Sequence, residues 1–74
     1  MKTYKNLSGD SAIAAYEIGN SFIKIKFSGG DTYTYNHKIP GKVVVEKMKD
    51  LALKGRGLGS YIMDEVKTNF AFKG

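Results

Sequence analysis

The stretch FIKIKFSGGDTYTY, residues 22–35, decides the fold. Two runs that alternate between apolar and polar residues flank a glycine-rich turn, which is the signature of a β-hairpin. Strand side chains alternate with period two, so Ile23, Ile25 and Phe27 share one face, while Phe22, Lys24 and Lys26 share the other. Two registers compete. A two-residue Gly29-Gly30 turn sets Lys26 opposite Tyr33 and Lys24 opposite Tyr35, which builds an exposed aromatic and basic plate of the kind that binds nucleic acid. A three-residue Ser28-Gly29-Gly30 loop places Gly30 in the left-handed position of a bulge and pairs Ile25 with Tyr33 and Ile23 with Tyr35. The second register is favoured. It buries two tyrosine rings where the first buries two threonines, a difference of roughly a few kcal/mol. Thr32 and Thr34 then share the outer face with Lys24 and Lys26.

Working outward, Ser11–Ile18 reads as strand one, because its eight residues end at Gly19-Asn20, a turn signal directly before the hairpin. Ile13 and Tyr16 have opposite parity, so a bulge near Ala14-Ala15 is expected to bring both to the core face. Residues 1–10 offer only Tyr4 and Leu7 for packing and are expected to be flexible. After the hairpin, Ile39-Pro40 is expected to open a helix over 40–54, with proline at or near the first helical position. Val44, Met48 and Leu51, with Val45 and Ala52 beside them, form its apolar side; Lys42, Glu46, Lys49 and Asp50 form the wet side. The Gly55–Ser60 segment breaks that helix. A second helix is expected over 59–69, its stripe made of Leu58, Tyr61, Ile62, Val66 and Phe70, with Ser60 as N-cap. The expected fold class is α+β: a three-stranded antiparallel β-meander followed by two α-helices packed on one face, in a single small domain, 1–74.

A chain of 74 residues lies near the lower limit for an unstapled core. It contains no cysteine, which removes disulfides, thiolate metal sites and cysteine nucleophiles, and it fits a reducing compartment. Its first ten residues lack the apolar region of a secretory signal and no run is long enough to cross a bilayer, so a cytoplasmic monomer with no membrane partner is expected. Without secretion the Asn6-Leu7-Ser8 sequon carries no weight. The net charge is +5, and all of the excess lies between Phe22 and Arg56, with eight basic and three acidic residues. That asymmetry points to an anionic partner, weighed against a merely solubilising lysine-rich face.

The ordered features Ser11-x-Ile13, Ile25-x-Phe27-x-x-Gly30-x-x-Tyr33-x-Tyr35-x-x-x-Ile39-Pro40, and Lys54-Gly55-Arg56 ahead of Tyr61-Ile62 resemble the KTSC domain. That family is named for its occurrence at the C-terminus of some lysyl-tRNA synthetases. The resemblance spans roughly residues 11–66 and rests chiefly on the block from Phe27 to Pro40. It implies a binding module, transfers no catalytic residue, and hints at RNA by analogy.

Chemistry is thinly supplied. The single histidine, His37, has no nucleophile or orienting carboxylate tied to it in sequence and reads as an exposed loop residue. No metal ligand set or cofactor motif is present: the glycine segment has neither the spacing of a phosphate-binding loop nor a preceding strand. The expected function is therefore a small non-enzymatic binding domain for RNA or single-stranded DNA, with a protein-interaction or structural accessory module as the alternative. Two basic surfaces are the candidate sites. One is the corner Lys54, Arg56, Gly57, Gly59 and Ser60, where helix-start amides join two cations; the other is the sheet face carrying Lys24 and Lys26. The corner is expected to bind more tightly per charge, unless Gly55 is only a helix C-cap and Gly57 and Gly59 only a tight turn.

Overall fold

The computed structural model describes residues 1–7, 9 and 11–74. Ser8 of the sequon, and Asp10, lie outside the described residues. In chain order the elements are β1 (Lys2–Thr3), β2 (Ile13–Ile18), β3 (Phe22–Phe27), β4 (Thr32–Asn36) and α1 (Lys42–Lys54), then α2 (Leu58–Tyr61), which continues into a π-helical turn (Ile62–Val66), and finally β5 (Phe72–Lys73).

The hairpin adopts the three-residue loop. Ile25 pairs with Tyr33 and Ile23 with Tyr35, while Lys24 faces Thr34 and Lys26 faces Thr32. The loop is closed by Phe27 N–H donating to Asp31 O at 2.8 Å and Gly30 N–H donating to Phe27 O at 2.9 Å. Gly30 has φ 103°, a conformation that a side chain would oppose. On the other side of β3, the register with β2 shifts between Ile13 and Ala15, and this bulge buries both Ile13 and Tyr16. The hairpin and bulge therefore put Ile13, Tyr16, Ile23, Ile25, Phe27, Tyr33 and Tyr35 on one face and leave Phe22 on the other.

The sheet has five strands, ordered β1-β2-β3-β4-β5 and antiparallel throughout, where a three-stranded meander was expected. The physical reason is that β2 and β4 would otherwise present unpaired backbone edges. Lys2 and Thr3 pair with Tyr16 and Ala15, and Phe72 and Lys73 pair with Thr34 and Tyr33. Residues 2–4, within the stretch expected to be flexible, are thus paired and packed. Tyr4 is 3% exposed, and its N–H donates to Ala14 O at 3.0 Å.

Pro40 does not open α1. The Asn36 carboxamide oxygen accepts from Lys38 N–H and Ile39 N–H at 3.0 and 2.8 Å, and Pro40 bridges back to Asn36. The helix then starts at Lys42, after Gly41. Val45, Met48 and Ala52 are its fully covered residues, with Val44 and Leu51 half-buried beside them. They pack on Ile23, Ile25 and Tyr35 from the sheet, and Leu58, Ile62 and Val66 complete the core from the second helical segment. That segment ends at Val66 rather than continuing to residue 69. Lys67 N–H bonds back five residues to Ile62 O, and Lys67 itself takes φ 55°, which turns the chain toward β5. Phe70 therefore lies beyond the helix.

One polar cluster ties α1 to the turns at the end of the sheet. Glu46 Oε2 accepts from Lys49 Nζ at 2.8 Å and lies 2.8 Å from His37 Nε2, while Lys49 Nζ also donates to Asn20 O at 3.1 Å. Lys49 thus reaches across to the β2–β3 turn instead of standing in solvent. The hydrogen bonds from Lys49 first, then from His37, hold the Glu46 carboxyl below its ordinary value of 4.5.

Two outcomes follow for stability. Tyr35 is 2% exposed whereas Tyr33 is half-buried, so Tyr35→Ala is expected to cost about 3–5 kcal/mol and Tyr33→Ala about 1–2 kcal/mol in urea unfolding. Equal costs would contradict this packing. A carboxyl whose pKa is lower folded than unfolded stabilises the protein above the unfolded value, and that contribution disappears as pH falls through the folded value. Glu46→Gln should therefore flatten the acid limb of the stability curve below pH 4.5; unfolding curves of both proteins that stay parallel on acidification would refute the cluster's role.

Candidate functional site

The outer face of the sheet follows from the register. Residues paired across antiparallel strands lie on the same side, so Thr3, Ala15, Lys26 and Thr32 form one row, and Glu17, Lys24, Thr34 and Phe72 form the next. Phe22 and Asn36 begin a third. Neither helix covers this side, because the helices pack on the opposite face with Ile23, Ile25 and Tyr35. Lys26 is exposed and Lys24 partly so, with Lys24 Nζ 5.9 Å from the centroid of the Phe22 ring. That ring lies against the Gly19 backbone, where a Cβ would meet it at 2.0 Å, so the turn glycine is what admits an aromatic here. Phe72 is 65% exposed at the far side of the face. The face thus carries Lys24 and Lys26 along β3 after the half-buried Phe22, with Phe72 exposed in the Lys24 row and Glu17 the acidic member.

The glycine corner is built differently from the expectation. Gly55 is the left-handed C-cap of α1, φ 78°, and its N–H donates to Leu51 O and Ala52 O. It is buried, with a Cβ there meeting Lys5 Cβ at 2.7 Å, and its carbonyl accepts from Leu7 N–H at 2.7 Å. Gly57, not Ser60, is the N-cap of α2, and it provides no side-chain cap. The Leu58 N–H instead donates to the Tyr4 hydroxyl at 3.3 Å. Residues near the N-terminus therefore consume part of the donor set that an incoming anion would need.

The corner's named residues also separate. Gly57, Gly59 and Ser60 line a cleft of about 270 Å³ shared with Ser11 and Phe27, which neither Lys54 nor Arg56 lines. Lys54 closes α1, 3.5 Å from Asp50, an exposed pair of little energetic weight. Arg56 is exposed and forms no ion pair among the described residues. Lys24 and Lys26 lie on the other side of the sheet from the helical layer that carries these groups. No flat ligand touches both surfaces at once.

His37 does have a carboxylate partner, Glu46, which its loop position alone did not reveal. The pair is exposed and committed to Lys49 and the turns. Among the described residues no cluster of three or more His, Asp or Glu side chains is placed to hold a metal ion, and no helix is long and apolar enough to cross a membrane. Phe72 is the functional candidate that sequence reading missed. Its only signal was the alternation Phe70-Ala71-Phe72, too short to distinguish frayed helix from strand.

Comparison with family models, with curated proteins and with solved structures returned no match for this chain.

Proposed function

We propose that this protein is a small non-enzymatic domain that binds single-stranded nucleic acid, RNA or DNA, on the open face of its sheet. The observation that carries the reading is the juxtaposition of Lys24 and Lys26 with the Phe22 and Phe72 rings on a face that no other element covers. Lysines neutralise phosphates while exposed aromatic rings offer stacking surfaces that tolerate any base. The excess of positive charge in the middle of the chain favours the same class of partner. The resemblance to the KTSC domain is consistent with such a binding module and adds no residue to it. We rank the sheet face above the corner, the reverse of the order expected from sequence. In the corner Tyr4 takes the Leu58 amide, and neither Lys54 nor Arg56 lines the cleft that Gly57 and Gly59 line, which supports the sheet face as the stronger site.

A protein-interaction module is the second reading, favoured by one observation. Met1, Ile18 and Leu53 are 56%, 38% and 60% exposed around a single cleft where α1 meets the β1–β2 edge. A partner seated there would bind without the salt dependence that phosphate contacts impose.

The test is fluorescence anisotropy with labelled oligouridine and oligothymidine across a salt series. Affinity is expected to fall steeply with salt, and removing Lys24 and Lys26 together should reduce the log-log slope by about 1.4, at roughly 0.7 per phosphate contact on a single strand. Phe72→Ala should weaken binding by about 1–3 kcal/mol with the slope unchanged. Arg56→Ala is expected to matter less than Lys24→Ala. A salt-independent affinity, or a larger loss at Arg56, would transfer the function away from the sheet.

A further inference from the structure

A second concave site lies on the helical side of the sheet, at the β5 edge, and the sheet-face reading makes no use of it. Phe27, Tyr33, Tyr35, Ile62 and Phe70 wall a cleft of about 280 Å³, with Asp31 and Lys67 also in its lining. The aromatic walls stand edge to face: Phe27 and Tyr33 have ring centroids 5.5 Å apart, and Tyr33 and Phe70 4.7 Å apart. Such a volume, at the lower end for ligand sites, suits one planar ring system and excludes larger molecules.

The cleft also contains unsatisfied chemistry. Tyr35 is 98% buried by its 2% exposure, and its hydroxyl makes no hydrogen bond among the described residues. No side-chain polar atom among them is both fully enclosed and unpartnered, and Tyr35 is one of the residues that line the cleft. Burial first, and the neighbouring Tyr33 second, push the phenol up to about 12, so it remains a hydrogen-bond donor at neutral pH. The wall opposite is shaped by backbone in an uncommon state. A π-helical turn ends at Val66, and Lys67, a non-glycine residue, takes φ 55° and ψ −122°. Both features concentrate at binding sites, where they re-aim side chains.

We propose that this cleft binds a guanine nucleotide, with the purine against the aromatic walls and the phosphate beside Lys67. A carboxylate such as Asp31 only accepts hydrogen bonds, and the guanine edge offers two adjacent N–H donors next to a carbonyl that the Tyr35 hydroxyl satisfies. Uracil and thymine present carbonyls on both sides of a single N–H and would face the carboxylate with repulsion. Lys67 supplies positive charge at the rim, and Lys73 Nζ, 5.7 Å from the Tyr33 centroid, supplies more on the same side. The site needs no single strand and stands or falls separately from the sheet face.

The test is an amide NMR titration of the whole chain with guanosine, cytidine and uridine monophosphates and with inorganic phosphate. Guanosine monophosphate is expected to shift the amides of Tyr33, Tyr35, Lys67 and Thr68, with an affinity about tenfold above that for uridine monophosphate. Tyr35→Phe keeps the ring and should weaken guanosine monophosphate by about tenfold; Asp31→Asn, on an exposed residue, should abolish the preference over uridine monophosphate. Should Tyr35→Phe fail to fold, Asp31→Asn decides. Shifts reproduced by inorganic phosphate, equal affinity for all three nucleotides, or no shift at millimolar nucleotide would each overturn the proposal. Oligouridine shifts at Lys24 and Lys26 that persist in both variants would show that the two sites are independent, and their loss alone would remove the sheet-face reading while leaving this one intact.

Discussion

The register of the β3–β4 hairpin is the constraint on which the rest of the molecule depends. With Gly30 turning at φ 103°, Ile25 faces Tyr33 and Ile23 faces Tyr35, so two isoleucines and a fully buried tyrosine form a continuous apolar floor. Val45 and Met48 from α1, and Leu58, Ile62 and Val66 from the following segment, pack on that floor. A slip by one residue would send both tyrosines to solvent and bring threonines under the helices, because side chains alternate strictly along a strand. The bulge at Ala14 extends the same logic to β2, and without it Ile13 and Tyr16 would not both reach the core.

A domain of this size has little apolar surface to spare, so its ends are recruited. The N-terminal segment does three things within three residues, Lys2, Thr3 and Tyr4. Lys2 and Thr3 cover one sheet edge, Tyr4 enters the core, and the Tyr4 hydroxyl accepts from the first amide of α2. At the other end, Phe72 and Lys73 cover the opposite edge, and Phe70 packs on Tyr33. The same contacts that stabilise the fold distribute its functional groups. Tyr4 and Lys5 crowd the glycine corner, while β5 adds an aromatic ring to the outer sheet face and carries Phe70 to the cleft behind it.

The two faces of the sheet offer different physics. A polyanion on the outer face would meet Lys24 and Lys26 in water, where charge is screened within roughly 8 Å at physiological salt, so its affinity would follow the number of phosphates met. In the cleft behind Tyr33 the walls are mostly apolar, and a few directed hydrogen bonds would discriminate between ligands there. On the two proposals, specificity would belong to the cleft and salt-sensitive adhesion to the plate.

What the sequence alone determined was everything carried by local alternation and turn chemistry. Phe22–Tyr35 favoured the register it adopts, the opposite parity of Ile13 and Tyr16 called for a bulge, and the spacing of Val44, Met48 and Leu51, with Val45 and Ala52 beside them, called for a helix with one apolar side, whose covered centre proved to be Val45, Met48 and Ala52. These properties follow from neighbours in the chain, because period and φ preference are local. What tertiary structure decided was non-local. Tyr4 capping a helix 54 residues away, Glu46 joining His37 to Lys49, Phe72 pairing with Thr34, and Lys67 turning back along the β4 edge all depend on where the sheet and helices bring distant segments together. No periodicity encodes such meetings. The glycine corner illustrates the difference: Lys54, Arg56, Gly57 and Gly59 are adjacent in sequence and read as one anion site, yet packing buries Gly55 under Lys5 and gives the Leu58 amide to Tyr4. Proximity along a chain ensures shared location but not free donors, and only the fold determines which backbone groups remain unpaired.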